Sequence, residues 1–180
     1  QMFVDKVDAA VGDTDRSNVG VLLVGYGQPA EWDREFPTET EQEIAFRQSV
    51  LDLLAENGYR PENLSMAWMM FKRPRPVEKV EELAARGVEK ILYFSAAISA
   101  DSLSSQDHVP ETIAKARIPE RVELVNLGAW DDHHLTIEAI FERVEPLIAS
   151  ASELKPGVRS TCDADVVAAG ARHANTGESS

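Results

Sequence analysis

The sequence predicts an α/β chain, a three-layer sandwich built on a four-stranded parallel sheet. Three observations predict it. Val19-Gly20-Val21-Leu22-Leu23-Val24 is an unbroken apolar run, the pattern of a strand buried on both faces, and such strands belong mostly to parallel sheets. Further short apolar runs alternate with segments of helical periodicity, which implies a parallel sheet with right-handed crossovers. Finally, 180 residues with 43% hydrophobic content suit one domain with a real core.

Taken in order, Phe3, Val4, Val7 and Val11 have helical spacing, and a polar stretch over 12–18 ends that helix. The segment 1–18 is therefore expected to be a helix and linker. A chain that opens in mid-helix with no start signal reads either as a piece of something longer or as an ordinary first helix. The first strand follows, then two glycines. Thr38 and Glu41 fit a capping box, in which hydroxyl and carboxylate satisfy the first free amides of a helix. Ile44, Leu51 and Leu54 mark its apolar side, and Asn57-Gly58 its stop.

The pattern then repeats. A second strand is expected over 64–70 and a helix over 77–86, with Val77, Val80 and Leu83 inward and Gly87 at its end. A third strand is expected over 91–97, a short helix over 109–116 and a fourth strand over 122–127. Asp131 or Asp132 can cap a last helix carrying Leu135, Ile140, Val144 and Leu147. The α/β domain is thus expected over 19–151. The remainder, 152–180, turns to Ser, Gly, Ala, Asp and Thr and reads as a flexible tail with at most a helical turn over 166–171.

Composition narrows the function. Eighteen Lys and Arg against 31 Asp and Glu give a formal charge of -13, whereas nucleic acid and anionic membranes require a basic footprint. Neither is expected as a partner. The single cysteine, Cys162, permits no intrachain disulfide framework. No apolar run reaches the roughly 20 residues of a membrane-spanning helix, and Gln1 to Asp8 does not read as a signal peptide. A cytoplasmic location is the expectation.

Open parallel sheets bind ligands at the carboxyl ends of their strands, here the segments 25–32, 70–76, 95–108 and 128–134. Gly25-Tyr26-Gly27-Gln28-Pro29 is the most informative. Its glycines allow a sharp turn that presents Tyr26 at the strand end, either packed on its neighbours or facing a ligand or hard metal. Trp32 closes this segment. The turn lacks the third glycine of a dinucleotide fingerprint and the Lys-Ser/Thr pair of a phosphate loop. Pro29 and bulky Tyr26 also argue against a flavodoxin-like phosphate cradle.

The segment 95–107 is rich in hydroxyls, including Ser95, Ser99 and Ser104, and contains Asp101. It is longer than the roughly 2–6 residues usual for such connections. Asp107 and His108 form a metal or proton-transfer pair, or Asp107 only caps the next helix. Asp131-Asp132-His133-His134 resembles a metal site in composition, yet adjacent helix residues do not share a face, so a capping aspartate with surface histidines reads better. Trp130 lines a pocket or staples its loop, and Trp68 reads as core. Lys72-Arg73-Pro74-Arg75-Pro76 either grips ligand carboxylates or is a rigid exposed loop.

Together these segments resemble the class II chelatases, the family of ferrochelatase and the small cobalt chelatases. The likeness rests on 21–29, on Gly87-Val88-Glu89-Lys90-Ile91 leading into Tyr93-Phe94-Ser95, on Asp107-His108-Val109-Pro110-Glu111, and on Asn126-Leu127-Gly128-Ala129-Trp130-Asp131-Asp132. It spans about 19–148. The resemblance implies a chelatase-like fold and a lyase that inserts a divalent metal, iron or cobalt, into a tetrapyrrole of heme or cobalamin-type biosynthesis. It implies no organic cofactor, the metal being a substrate. It further implies pairing with a second chelatase-like domain or as a homodimer. The family's histidine after the first strand falls on Tyr26, and its second group, histidine or glutamate, on about Ser104. The resemblance therefore assigns Tyr26, Ser104 and His108 to catalysis and Tyr26, Asp101 and His108 to the metal. Gly25, Gly27, Gln28, Pro29, Trp32, Ser99, Asp101 and Trp130 are assigned to the tetrapyrrole. With both family residues replaced, a catalytically silent domain that binds a tetrapyrrole or pairs with an active domain is the alternative.

Overall fold

A computed structural model describes residues 1–131 and 133–153 of the chain. The chain divides into two compact units, Gln1–Ala139 and Ile140–Ser180. The first contains the whole sheet. Its strands are β1 (Val19–Gly25), β2 (Leu64–Trp68), β3 (Lys90–Ser95) and β4 (Glu123–Asn126), and its helices are α1 (Met2–Val11), α2 (Ala30–Glu35), α3 (Pro37–Glu56), α4 (Pro76–Ala85) and α5 (Val109–Ile113). All strands run parallel in the order β2-β1-β3-β4. The expected α/β class and four-stranded parallel sheet are what the chain forms.

β1 is buried at every position, which explains its unbroken apolar run. Alternate residues feed two cores. Val19, Val21 and Leu23 join α1 and α3 through Phe3, Val7, Leu51 and Leu54. Leu22 and Val24 join α4 and α5 through Val80, Leu83, Val109 and Ile113. Within the segment 1–18, α1 is thus an integral layer, packed on the sheet.

Several expected boundaries shift for physical reasons. α3 starts at Pro37, preceded by Phe36, and has no side-chain cap. Thr38 and Glu41 do not form the expected box; the Thr40 hydroxyl goes instead to Asp33 Oδ1 at 2.7 Å. Ile44 is exposed, and its place on the inward face is taken by Arg47, which has no exposed surface. The short helix α2 has no expected counterpart. β2 stops at Trp68 and β3 at Ser95, because the chain beyond each leaves the sheet to form loops. α5 is preceded by a π-helical turn over Ser104–His108 rather than by a capping aspartate.

The final helix α6 runs over His134–Glu153. Of its expected apolar positions, Leu135 packs against the core, whereas Ile140, Val144 and Leu147 are exposed. The expected tail over 152–180 overlaps the end of α6 at 152–153, and the rest of it, including Cys162 and the possible turn over 166–171, lies outside the described residues, as does Asp132. Among the described residues no helix is long and apolar enough to cross a membrane.

Candidate functional site

β1 and β3 are paired at the centre of the sheet, and the connections that leave them run to opposite edges, from β1 to β2 and from β3 to β4. The crevice at such a reversal, outside the carboxyl ends of the strands, is where open α/β sheets bind ligands. Here it is bounded by Gly25 and Tyr26 from β1 and Ser95 from β3. A small cavity of about 10 Å³ lies there, lined by Val24, Gly25, Tyr26, Met69, Ser95, Ile98, Ser104 and Val109. That is room for about one water. Ser95 is buried and its Oγ has no protein partner. The structure thus brings together Tyr26 and Ser104, from segments far apart in sequence, around an unpaired hydroxyl.

The loops around this cavity are tied to one another. Met69 N–H donates to Gly25 C=O at 2.8 Å, and Met70 N–H to Tyr26 C=O at 2.9 Å. Gly27 adopts φ 85, and a Cβ there would lie 2.5 Å from the Met70 carbonyl oxygen, so only glycine permits this approach. Gly25 is required for a different reason: a Cβ would meet Glu43 Oε1 at 2.1 Å and Arg47 Cζ at 2.7 Å. Arg47 donates to Ala67 C=O at 2.8 Å and lies 3.9 Å over the Trp68 ring. Burial raises the Glu43 carboxyl above its ordinary range, although Arg47 and the Tyr26 backbone oppose the shift.

Gln28 is a brace. Its Nε2 donates to Asp33 Oδ1 at 2.9 Å and to Phe36 C=O at 3.1 Å. Asp33 also accepts from Lys72, and hydrogen bonds from Lys72, Thr40 and Gln28, in that order, hold its carboxyl down to about 2. Pro29 immediately precedes α2, on which Trp32 stands exposed. The basic cluster is already engaged: Lys72 with Asp33, Arg73 with Glu78, and Arg75 with the Met69 carbonyl.

On the other side of the cavity, Asp101 organises the loop after β3. Its Oδ1 accepts from Ala129 N–H at 3.0 Å and Ser105 Oγ at 3.1 Å. Its own N–H donates to Asp131 Oδ1 at 3.0 Å. Burial pushes the Asp101 carboxyl up, but hydrogen bonds from Gln106, Ala129 and Ser105 together hold it below the ordinary range. Ser99 C=O accepts from Asp131 N–H at 2.9 Å. Trp130 Nε1 donates to Ala96 C=O at 2.9 Å while its ring meets Phe3 and Phe46, so Trp130 staples the loop. His108 is exposed and is not among the cavity-lining residues. Among the described residues, no three His, Cys, Asp or Glu side chains gather to hold a metal.

Backbone irregularities mark the same edge. Phe71 has φ 58 and Asp131 φ 55, conformations that cost a non-glycine residue on the order of 1–3 kcal/mol. The π-helical turn over Ser104–His108 lies there too, and such turns are frequent at functional sites. Tyr26, Trp32, Phe36, Met70, Phe71 and Leu103 are all exposed on these loops. A larger groove of about 490 Å³ runs along the open edge of β2, between α3 and α4, and reaches Trp68 at the end of β2 and Pro74 of the loop that follows. Ser95, Met69 and Phe71 carry no local sequence motif. The Glu43–Arg47 pair could have been found from its spacing, since 43, 47, 50, 51 and 54 fall on one helix face.

No protein-family model matches the chain, and no curated protein matches it. Among solved structures, the chain is similar to a protein described provisionally as a CbiX protein of cobalamin (vitamin B12) biosynthesis from Marinobacter aquaeolei VT8. The identity is 15%, the match covers 73% of this chain and 98% of that one, and the TM-score is 0.42. A likeness of that size speaks to neither ligand nor activity.

Proposed function

We propose that the chain is a chelatase-like domain of tetrapyrrole biosynthesis, with the tetrapyrrole received at the carboxyl edge of the sheet and iron or cobalt as the metal substrate. The observation that carries this reading is the set of exposed apolar side chains on the segments that follow β1, β2 and β3, namely Tyr26, Trp32, Phe36, Met70, Phe71 and Leu103, together with the small cavity at the strand reversal, where the buried Ser95 hydroxyl has no partner. A flat, largely apolar ring with a polar centre suits such a surface, since ligand sites pair apolar walls with a few convergent polar groups.

Metal insertion also needs a group that takes up the displaced pyrrole protons. The cavity offers the hydroxyls of Tyr26, Ser95 and Ser104. The nearby carboxyl of Glu43 packs on the α3 side of Gly25, whereas the cavity is lined by residues of the α5 side. This favours a second reading, in which the domain holds the tetrapyrrole and a second chelatase-like domain or another copy supplies the proton acceptor. The test is a titration of the full chain with protoporphyrin, followed by addition of iron or cobalt. Binding with metal insertion above the protein-free blank supports an active chelatase. Binding without insertion supports the second reading, and no binding overturns both.

A further inference from the structure

We infer that Phe71 is the aromatic wall against which the planar ligand of this site stacks, an assignment that rests on the tetrapyrrole reading above. Phe71 occupies φ 58, a conformation in which glycine is at ease and a bulky residue is not. The turn is closed, with Lys72 N–H donating to Met70 C=O at 2.6 Å across it. Yet the side chain is 54% exposed and, among the described residues, stacks on no other aromatic ring. Core burial does not account for a phenyl group at this position, and the backbone opposes it. A strained conformation kept where folding gains little points to contact with something else.

Both ends of the turn are anchored. On one side Met70 is hydrogen-bonded to Tyr26. On the other, Lys72 pairs with Asp33, which Gln28 and Thr40 also hold. The backbone that carries the ring is thereby held beside the Tyr26 turn before any ligand arrives, so little backbone freedom is lost on binding. An aromatic side chain so placed suits a conjugated ring, which it meets in offset or edge-to-face geometry.

The experiment uses the full chain, free-base protoporphyrin as the probe, quenching of tryptophan fluorescence as the binding readout, and a thermal melt of each variant. Phe71→Gly is expected to raise the melting temperature by about 2 °C, because it relieves the strain. The same change is expected to weaken porphyrin binding about fivefold to tenfold. Phe71→Tyr, which keeps the ring, is expected to bind within about twofold of the unaltered chain. A Phe71→Gly chain that melts lower makes the ring structural and overturns the assignment. One that binds porphyrin as tightly as the unaltered chain also overturns it, while leaving the tetrapyrrole reading intact. If the unaltered chain shows no quenching, that reading falls and takes the assignment with it.

Discussion

Gly27 and Gly87 both adopt a positive φ, 85 and 88, yet they face different surroundings. A Cβ on Gly27 would lie 2.5 Å from the Met70 carbonyl oxygen, whereas one on Gly87 would meet nothing within 4 Å. Gly87→Ala should therefore cost only the conformational penalty, about 1 kcal/mol. Gly27→Ala should cost about 2–3 kcal/mol, because a backbone oxygen must also be displaced. Urea unfolding of the two variants checks this, and equal losses would mean that the approach of Gly27 to Met70 does not matter. The glycines around Tyr26 are legible in the sequence as a turn, but their separate reasons are not. Gly25 makes room for Glu43 and Arg47, and Gly27 for the loop after β2. Those neighbours are distant in sequence, and no local pattern announces them.

At the scale of elements, the site is held by two polar braces, one on each side of the cavity. The Asp33 brace joins α2, the Tyr26 turn and the loop after β2. Its carboxyl is held at about 2, below the ordinary 3.8. The sign follows directly: the fold favours the ionised form, so this contribution is full above about pH 3.8 and is lost as pH falls through about 2. Melting temperatures measured from about pH 5 down to pH 2 should fall, and Asp33→Asn should flatten that part of the curve. An unchanged slope would show that Asp33 is not the group titrating. The Asp101 brace holds the loop after β3 against Ala129. Asp101→Ala strands the Ala129 amide and should cost about 1–3 kcal/mol, read as a lower urea midpoint with unchanged m-value. Asp101→Asn, which retains an acceptor oxygen, should recover part of it. Neither brace can be read from the sequence in advance. Thr38 and Glu41 mimic a capping box, yet neither caps α3, and it is Thr40 that joins the Asp33 brace.

At the scale of the whole molecule, the strands were legible because burial on both faces leaves an apolar run that needs no partner to be recognised. α6 misleads by the same logic beyond its first turn, since Leu135 packs on the core while Ile140, Val144 and Leu147 continue the pattern but lie exposed. Among the described residues, the buried members of both cores come from positions up to Val122, with Leu135 the last to pack against them. The core formed by the described residues therefore lies within the unit Gln1–Ala139. A chain ended after Ala139 keeps every buried core residue and every cavity-lining residue. It should melt cooperatively within about 3 °C of the full chain, as surface changes away from a core cost little. It should also quench with porphyrin at the same affinity, which places the ligand edge in this unit. A broad, non-cooperative melt would show that the sheet depends on residues beyond Ala139. A cooperative melt with lost porphyrin binding would instead move the ligand contact into 140–180, and with it the part of the chain that determines function.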